Sequence, residues 1–134
     1  MASGTFGTAI NCMDGRAQAP VADWLKLNFH VDYVDMVTFP GADGLLAGAS
    51  GASGRIEHLR EYAAISVEQH VSRVIAVAGH HGCAGYAVSR ELHIAAIQQA
   101  AQRIQQTWGF AARVVGLWVN DWWQVERVYD SEAV

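Results

Sequence analysis

The 134-residue sequence predicts a single α/β domain over residues 1–134, with a mostly parallel sheet of four or five strands and helices on both faces. Three features lead there. Apolar runs alternate with helix-period stretches in the order strand, helix, strand, helix, strand, helix, strand, which is the pattern of crossover connections in a parallel sheet. The stretch "SRVIAVAGH" is apolar without alternation, as a strand covered on both faces must be. A chain of this length also buries about two-thirds of its unfolded surface, enough for one core without disulfides.

The first strand is "GTAINC", and "APVADWLKLNF" follows as a helix with Pro20 in its first turn, where a missing amide proton is harmless. "VDYVDMVTF" reads as a second strand. From Gly41 to Gly54, "GADGLLAGASGASG" has neither period and reads as a long functional loop or mobile segment. Ser53 is expected to cap the next helix, "GRIEHLREYAAISVEQHV", in which Ile56, Leu59, Ala63 and Val67 recur at helical spacing. After the central strand, Ile94, Ile97, Ala101, Ile104 and Trp108 mark one face of "SRELHIAAIQQAAQRIQQTWG", which Gly109 ends. "ARVVGLWV" supplies a fourth strand and "WQVERVY" a fifth, joined by a turn at Asn120 and Asp121.

Nine Lys and Arg residues are scattered through a chain of net charge −4 and pI about 5.8, so neither nucleic acid nor an anionic membrane is an expected partner. Two cysteines make no disulfide framework, and "MASGTFGTAI" has neither a cationic start nor a long apolar stretch. The expectation is a soluble, cytoplasmic protein with reduced thiols. Hydrophobic residues make up 51% and charged residues 16%, lean in charge for a lone small domain, which points to a homodimer or larger homo-oligomer. A parallel sheet has edges to cover, and Trp118, Trp122 and Trp123 are expected either in the core or in a subunit contact.

The two cysteines lie in "INCMDGR" and "AGHHGCAGY". Cys12 ends the first predicted strand, and His80 and Cys83 follow the third. In open sheets of this kind ligands bind beyond the carboxyl ends of the strands, so neighbouring first and third strands would bring the three side chains to one crevice. Two thiolates and one imidazole are a set that zinc accepts, with the fourth tetrahedral position left for water or substrate. Asp14 and Arg16 follow Cys12 at alternate positions. An Asp beside an open zinc site accepts a hydrogen bond from bound water or closes the site by ligating the metal, and Arg16 holds that carboxylate ionised and aimed. A phosphatase loop needs five residues between cysteine and arginine, and position 18 is Gln18.

With these residues in view, the chain resembles the β-class carbonic anhydrases, which carry Cys-x-Asp-x-Arg after the first strand and Gly-His-x-x-Cys after the third. Here these are "CMDGR" and "GHHGC", about 65 to 70 residues apart, a separation that a crossover with its loops accommodates. The resemblance implies Cys12, His80 and Cys83 as ligands of one Zn2+ per chain and Asp14 with Arg16 as a catalytic dyad. It implies reversible hydration of carbon dioxide to bicarbonate by hydroxide on zinc, for which three-histidine carbonic anhydrases set the reference, a bound-water pKa of ~7.

The chain departs from the family at three places. "TFPGAD" stands where Arg-Asn-Ala-Gly is usual after the second strand, Ala84 precedes Gly85 after the second cysteine, and the first strand begins almost at once in the given sequence, so the wrapping N-terminal helices and the glutamine near the substrate are not expected in it. Two alternatives therefore stand beside carbon dioxide hydration: hydrolysis of carbonyl sulfide or carbon disulfide at the same ligands, and a non-catalytic assembly or binding module whose zinc is structural, closed by Asp14. His81 is a relay or a surface residue. His30, His58, His70 and His93 receive no role, with His58 and His70 expected on the polar face of a helix.

Overall fold

The computed structural model describes residues 4–48 and 53–133. Along the chain run β1 (Phe6–Asn11), α1 (Gly15–Phe29), β2 (Tyr33–Thr38), α2 (Ala42–Leu46), α3 (Ser53–Gln69), β3 (Val74–His80), α4 (Arg90–Thr107), β4 (Arg113–Val119) and β5 (Val125–Asp130). They form one five-stranded sheet in the order β2-β1-β3-β4-β5, parallel except for β5, which pairs antiparallel with β4. The expected architecture of a mostly parallel sheet with helices on both faces is the observed one.

Alternate residues of the strands serve opposite faces. Ala9, Ala76, Ala78, Val115 and Leu117 meet Val21 and Leu25 of α1, whereas Ile10, Ile75, Val77 and Trp118 meet α2, α3 and α4 on the other side. All seven residues of β3 are buried. Each fully buried Ile or Leu contributes about 1.5–3 kcal/mol, so this doubly covered strand is the centre of the fold. Because the chain leaves β1 through α1 on one face and leaves β3 through α4 on the opposite face, the carboxyl ends of these neighbours flank a crevice.

Three local readings change. Helix α1 begins at Gly15, ahead of the expected start, because the Asp14 side chain accepts the amide of Arg16 as an N-cap; Pro20 then sits inside the helix, leaving the Arg16 carbonyl without its usual donor. The aperiodic tract from Gly41 carries α2, a five-residue helix with Ala42, Leu45 and Leu46 buried against the α3 and α4 face. Such a short helix has too little propensity of its own to announce itself and is held by packing. The remainder of that tract, 49–52, and the side chain of Ser53 expected as a cap lie outside the described residues.

The two ends of α4 follow ordinary capping chemistry. Ser89 caps α4 through the Leu92 amide, and Gly109, at φ 74°, turns the chain toward β4. The three tryptophans separate: Trp118 is 2% exposed in the core, Trp122 is 78% exposed, and Trp123 is half-buried. Among the described residues no helix is long and apolar enough to cross a membrane.

Candidate metal centre

Cys12 stands one residue beyond β1, His80 ends β3, and Cys83 lies in the loop that follows. Their donor atoms all fall within 4.8 Å of one another, and all three residues are buried. The two sulfurs are 3.9 Å apart. Sulfurs at zinc-ligand distance on two tetrahedral corners are separated by about 3.8 Å, so the spacing fits one shared cation. His80 supplies the second test. Its Nδ1 is 2.8 Å from the His81 carbonyl, while its Nε2 is buried without a hydrogen-bond partner among the described residues. A fully buried imidazole nitrogen left bare is costly, and a cation on its lone pair removes the cost.

The loops that present these donors are held by side chains of Asn11 and Gln18 and by a close backbone crossing. The Asn11 side chain accepts the Cys12 amide and donates to the Ala17 carbonyl, and Gln18 donates to the Cys12 carbonyl, tying the cysteine turn to the first turns of α1. On the other side, Gly85 crosses Gly41 so closely that a Cβ on either would lie 2.6–2.7 Å from backbone of the other segment. Glycine at both positions is the condition for that crossing. Burial, with Cys12 beside it, pushes the Cys83 thiol up to about 11, although backbone amides of Tyr86 and Gly85 favour the thiolate.

Asp14 and Arg16 form a fork. Arg16 Nε donates to Asp14 Oδ1 at 3.0 Å and Nη2 to Oδ2 at 2.7 Å, while the Arg16 amide also donates to Oδ1. These bonds, led by the Arg16 side chain, hold the Asp14 carboxyl far below the ordinary carboxylate range, and the Arg16 guanidinium rises in turn. Asp14 Oδ2 lies 3.9 Å from His80 Nε2, so the carboxylate borders the cluster without belonging to it. Arg16 Nη2 also approaches the Gly82 carbonyl at 3.5 Å, linking the two motif loops. All five residues singled out in the sequence therefore share one crevice.

A thiol gives up its proton to bind a metal. With Cys83 titrating near 11, metal uptake at neutral pH is expected to release at least one proton per chain, and apparent affinity is expected to rise with pH by about tenfold per unit for each such thiol. Competition against a chelator of known pH dependence checks this; a flat profile from pH 6.5 to 8.5 contradicts it.

Two neighbours escaped the sequence reading. The sequence assigns His93 no role, yet its Nδ1 lies 2.6 Å from Asp43 Oδ2, both residues being 1% exposed. The signal was available, since His93 lies four residues before Ile97 on the buried face of α4. Trp123, read as core or subunit contact, stacks on Arg16. His81 is exposed, and His70 pairs with Asp35 of β2 rather than with the crevice.

The family model described as "Putative carbonic anhydrase" matches residues 2–129. Among solved structures, β-carbonic anhydrase isoform I of the protozoan Trichomonas vaginalis aligns with a TM-score of 0.62 and 14% identity, covering 92% of this chain and 82% of that one. A carbonic anhydrase from Glaciozyma antarctica aligns with a TM-score of 0.57 and 15% identity, covering 91% and 81%. No curated protein matches by sequence. At such identities the structural likeness speaks for the fold, and the family rests on the match spanning nearly the whole chain: this protein belongs to the carbonic anhydrase family, as a divergent member with the β-class fold.

Proposed function

We propose that the protein catalyses the reversible hydration of carbon dioxide to bicarbonate and a proton, with one Zn2+ held by Cys12, His80 and Cys83. The observation that carries this reading is the bare, buried Nε2 of His80 grouped with two sulfurs 3.9 Å apart. A zinc ion there supplies Lewis acidity and brings the pKa of water toward neutrality. Cys12, His80 and Cys83 would be its protein donors, too few to exclude water from the ion.

The chain's own residues supply the rest. Asp14 Oδ1 accepts the α1 amide and Arg16 Nε, while Oδ2, which accepts Arg16 Nη2, keeps a second lone pair and is the carboxylate oxygen 3.9 Å from His80 Nε2. Held ionised by Arg16, it serves as a hydrogen-bond acceptor that orients water beside His80. Arg16 fixes the carboxylate plane through two parallel bonds, so the acceptor needs no reorganisation when the reaction begins.

Stopped-flow hydration of carbon dioxide by the zinc-loaded chain tests the proposal. Asp14→Ala is expected to retain zinc and lose about 10²-fold in kcat, the scale of a positioned acid-base group. Equal rates remove Asp14 from the mechanism. Faster sulfide release from carbonyl sulfide than hydration of carbon dioxide reassigns the substrate, and stoichiometric zinc without either activity assigns the metal a structural role.

A further inference from the structure

We propose that Trp123, in the turn between β4 and β5, is a positioning residue that presses the Arg16 guanidinium into its fork with Asp14 and walls the metal crevice on that side; the inference deepens the active-site reading above and rests on it. The Arg16 Cζ lies 4.7 Å from the centre of the Trp123 ring. The same indole stands 6.2 Å, centre to centre, from the ring of His80. One side chain thus faces both the arginine of the dyad and a ligand of the cluster.

The turn that delivers it is built for the purpose. The Asn120 side-chain oxygen accepts the amides of Trp122 and Gln124, its carbonyl accepts the amide of Trp123, and its Nδ2 donates to Glu126. Trp123 itself sits at φ 60°, a left-handed conformation that glycine or asparagine adopts far more easily than tryptophan. Local chain geometry therefore argues against an indole at this position. Strain of this kind persists where the surroundings hold it, and here the surroundings are Arg16, His80 and the apolar cluster on the α1 face of the sheet, against which Trp123 packs.

Arg16 needs such support. Its side chain is 57% exposed, so water competes for its donors and the arm has freedom to swing. A flat aromatic face on one side and a carboxylate at the edge restrict it to the plane in which both Asp14 oxygens are engaged. If that restraint is removed, Asp14 keeps its bond to the Arg16 amide but loses the fork that sets its plane beside His80.

Trp123→Gly tests this cleanly, because glycine suits the turn and removes only the indole. Trp123→Phe keeps a ring face, and Arg16→Ala provides the reference for a lost fork. In the Zn2+-loaded chains, Trp123→Gly is expected to lower kcat about tenfold with KM within twofold of wild type, and Trp123→Phe to recover most of the loss. Added to Arg16→Ala, Trp123→Gly is expected to change kcat by less than twofold. The second readout is the visible spectrum of the Co2+-loaded chains, in which Trp123→Gly should reproduce the shift of Arg16→Ala and Trp123→Phe should resemble wild type.

The spectra judge the positioning role even if wild type hydrates no carbon dioxide, an outcome that overturns the proposed activity alone. A wild-type spectrum and wild-type kcat in Trp123→Gly overturn the inference. So does a tenfold loss that repeats in full on the Arg16→Ala background. If Trp123→Gly does not fold, the Trp123→Phe and Arg16→Ala spectra decide: a Trp123→Phe spectrum matching Arg16→Ala, in a chain with wild-type thermal stability, also overturns it.

Discussion

Cys83→Ser is expected to surrender zinc to a competing chelator roughly 10³-fold more readily than wild type, beyond the 10–100-fold typical of changes outside the ligand shell. Serine is close in size to cysteine, so the loop crossing at Gly41 and Gly85 persists, but a hydroxyl neither ionises near neutrality nor offers a soft donor. Only Cys12 and His80 would then remain to hold the ion. Any stimulated hydration should vanish with the metal. Zinc content after dialysis and affinity by chelator competition measure the effect, with exposed His81→Ala as a control expected to keep a full complement. A Cys83→Ser chain that binds zinc as tightly as wild type removes Cys83 from the ligand set.

Asp43→Ala is expected to destabilise the chain by about 3 kcal/mol, the scale for removing one member of a buried, hydrogen-bonded pair. Asp43 joins α2 to α4 through His93 and packs so closely on Gly79 that no larger residue fits there. Its loss bares a second nitrogen of His93, whose Nε2 already lacks a partner among the described residues. A fall of about 10 °C in Tm is the matching expectation for a chain of this length. Asp43→Asn retains an acceptor for Nδ1 and should cost about 1 kcal/mol. Urea unfolding of both variants with excess chelator separates this effect from metal stabilisation. Asp43→Ala within about 0.5 kcal/mol of wild type contradicts the assignment.

The five residues of the crevice were legible because each motif is local. Cys12, Asp14 and Arg16 span five positions at the end of one apolar run, and His80 and Cys83 span four at the end of another. The sheet did the rest, since adjacency of β1 and β3 is the one long-range fact needed to unite them. What stayed hidden depended on contacts across the chain. Helix α2 lies in a glycine-rich tract whose composition reads as loop, and its residues are helical because α4 and Tyr86 close over them. His93 lay on an apolar stripe, but nothing near it in sequence names Asp43, fifty positions away. Trp123 could be recognised as an aromatic near the end of the chain, whereas its contact with Arg16 depends on a left-handed turn that tryptophan seldom enters.

The ladder between β1 and β3 has a consequence for how the two halves of the sheet hold together. It contains three residue pairs, Thr8 with Ile75, Ala9 with Ala76 and Ile10 with Val77, against six between β1 and β2 and seven between β3 and β4. The pairing ends at Ile10 and Val77, two residues before Cys12 and three before His80, so the donors stand beyond the last paired rung. An ion held by Cys12, His80 and Cys83 would act as a rivet across the join with the fewest pairs, and by binding only the folded chain it would raise stability with the logarithm of free metal over Kd. The seam on which the two motifs meet would thereby be the place where metal supply bears on the cohesion of the sheet.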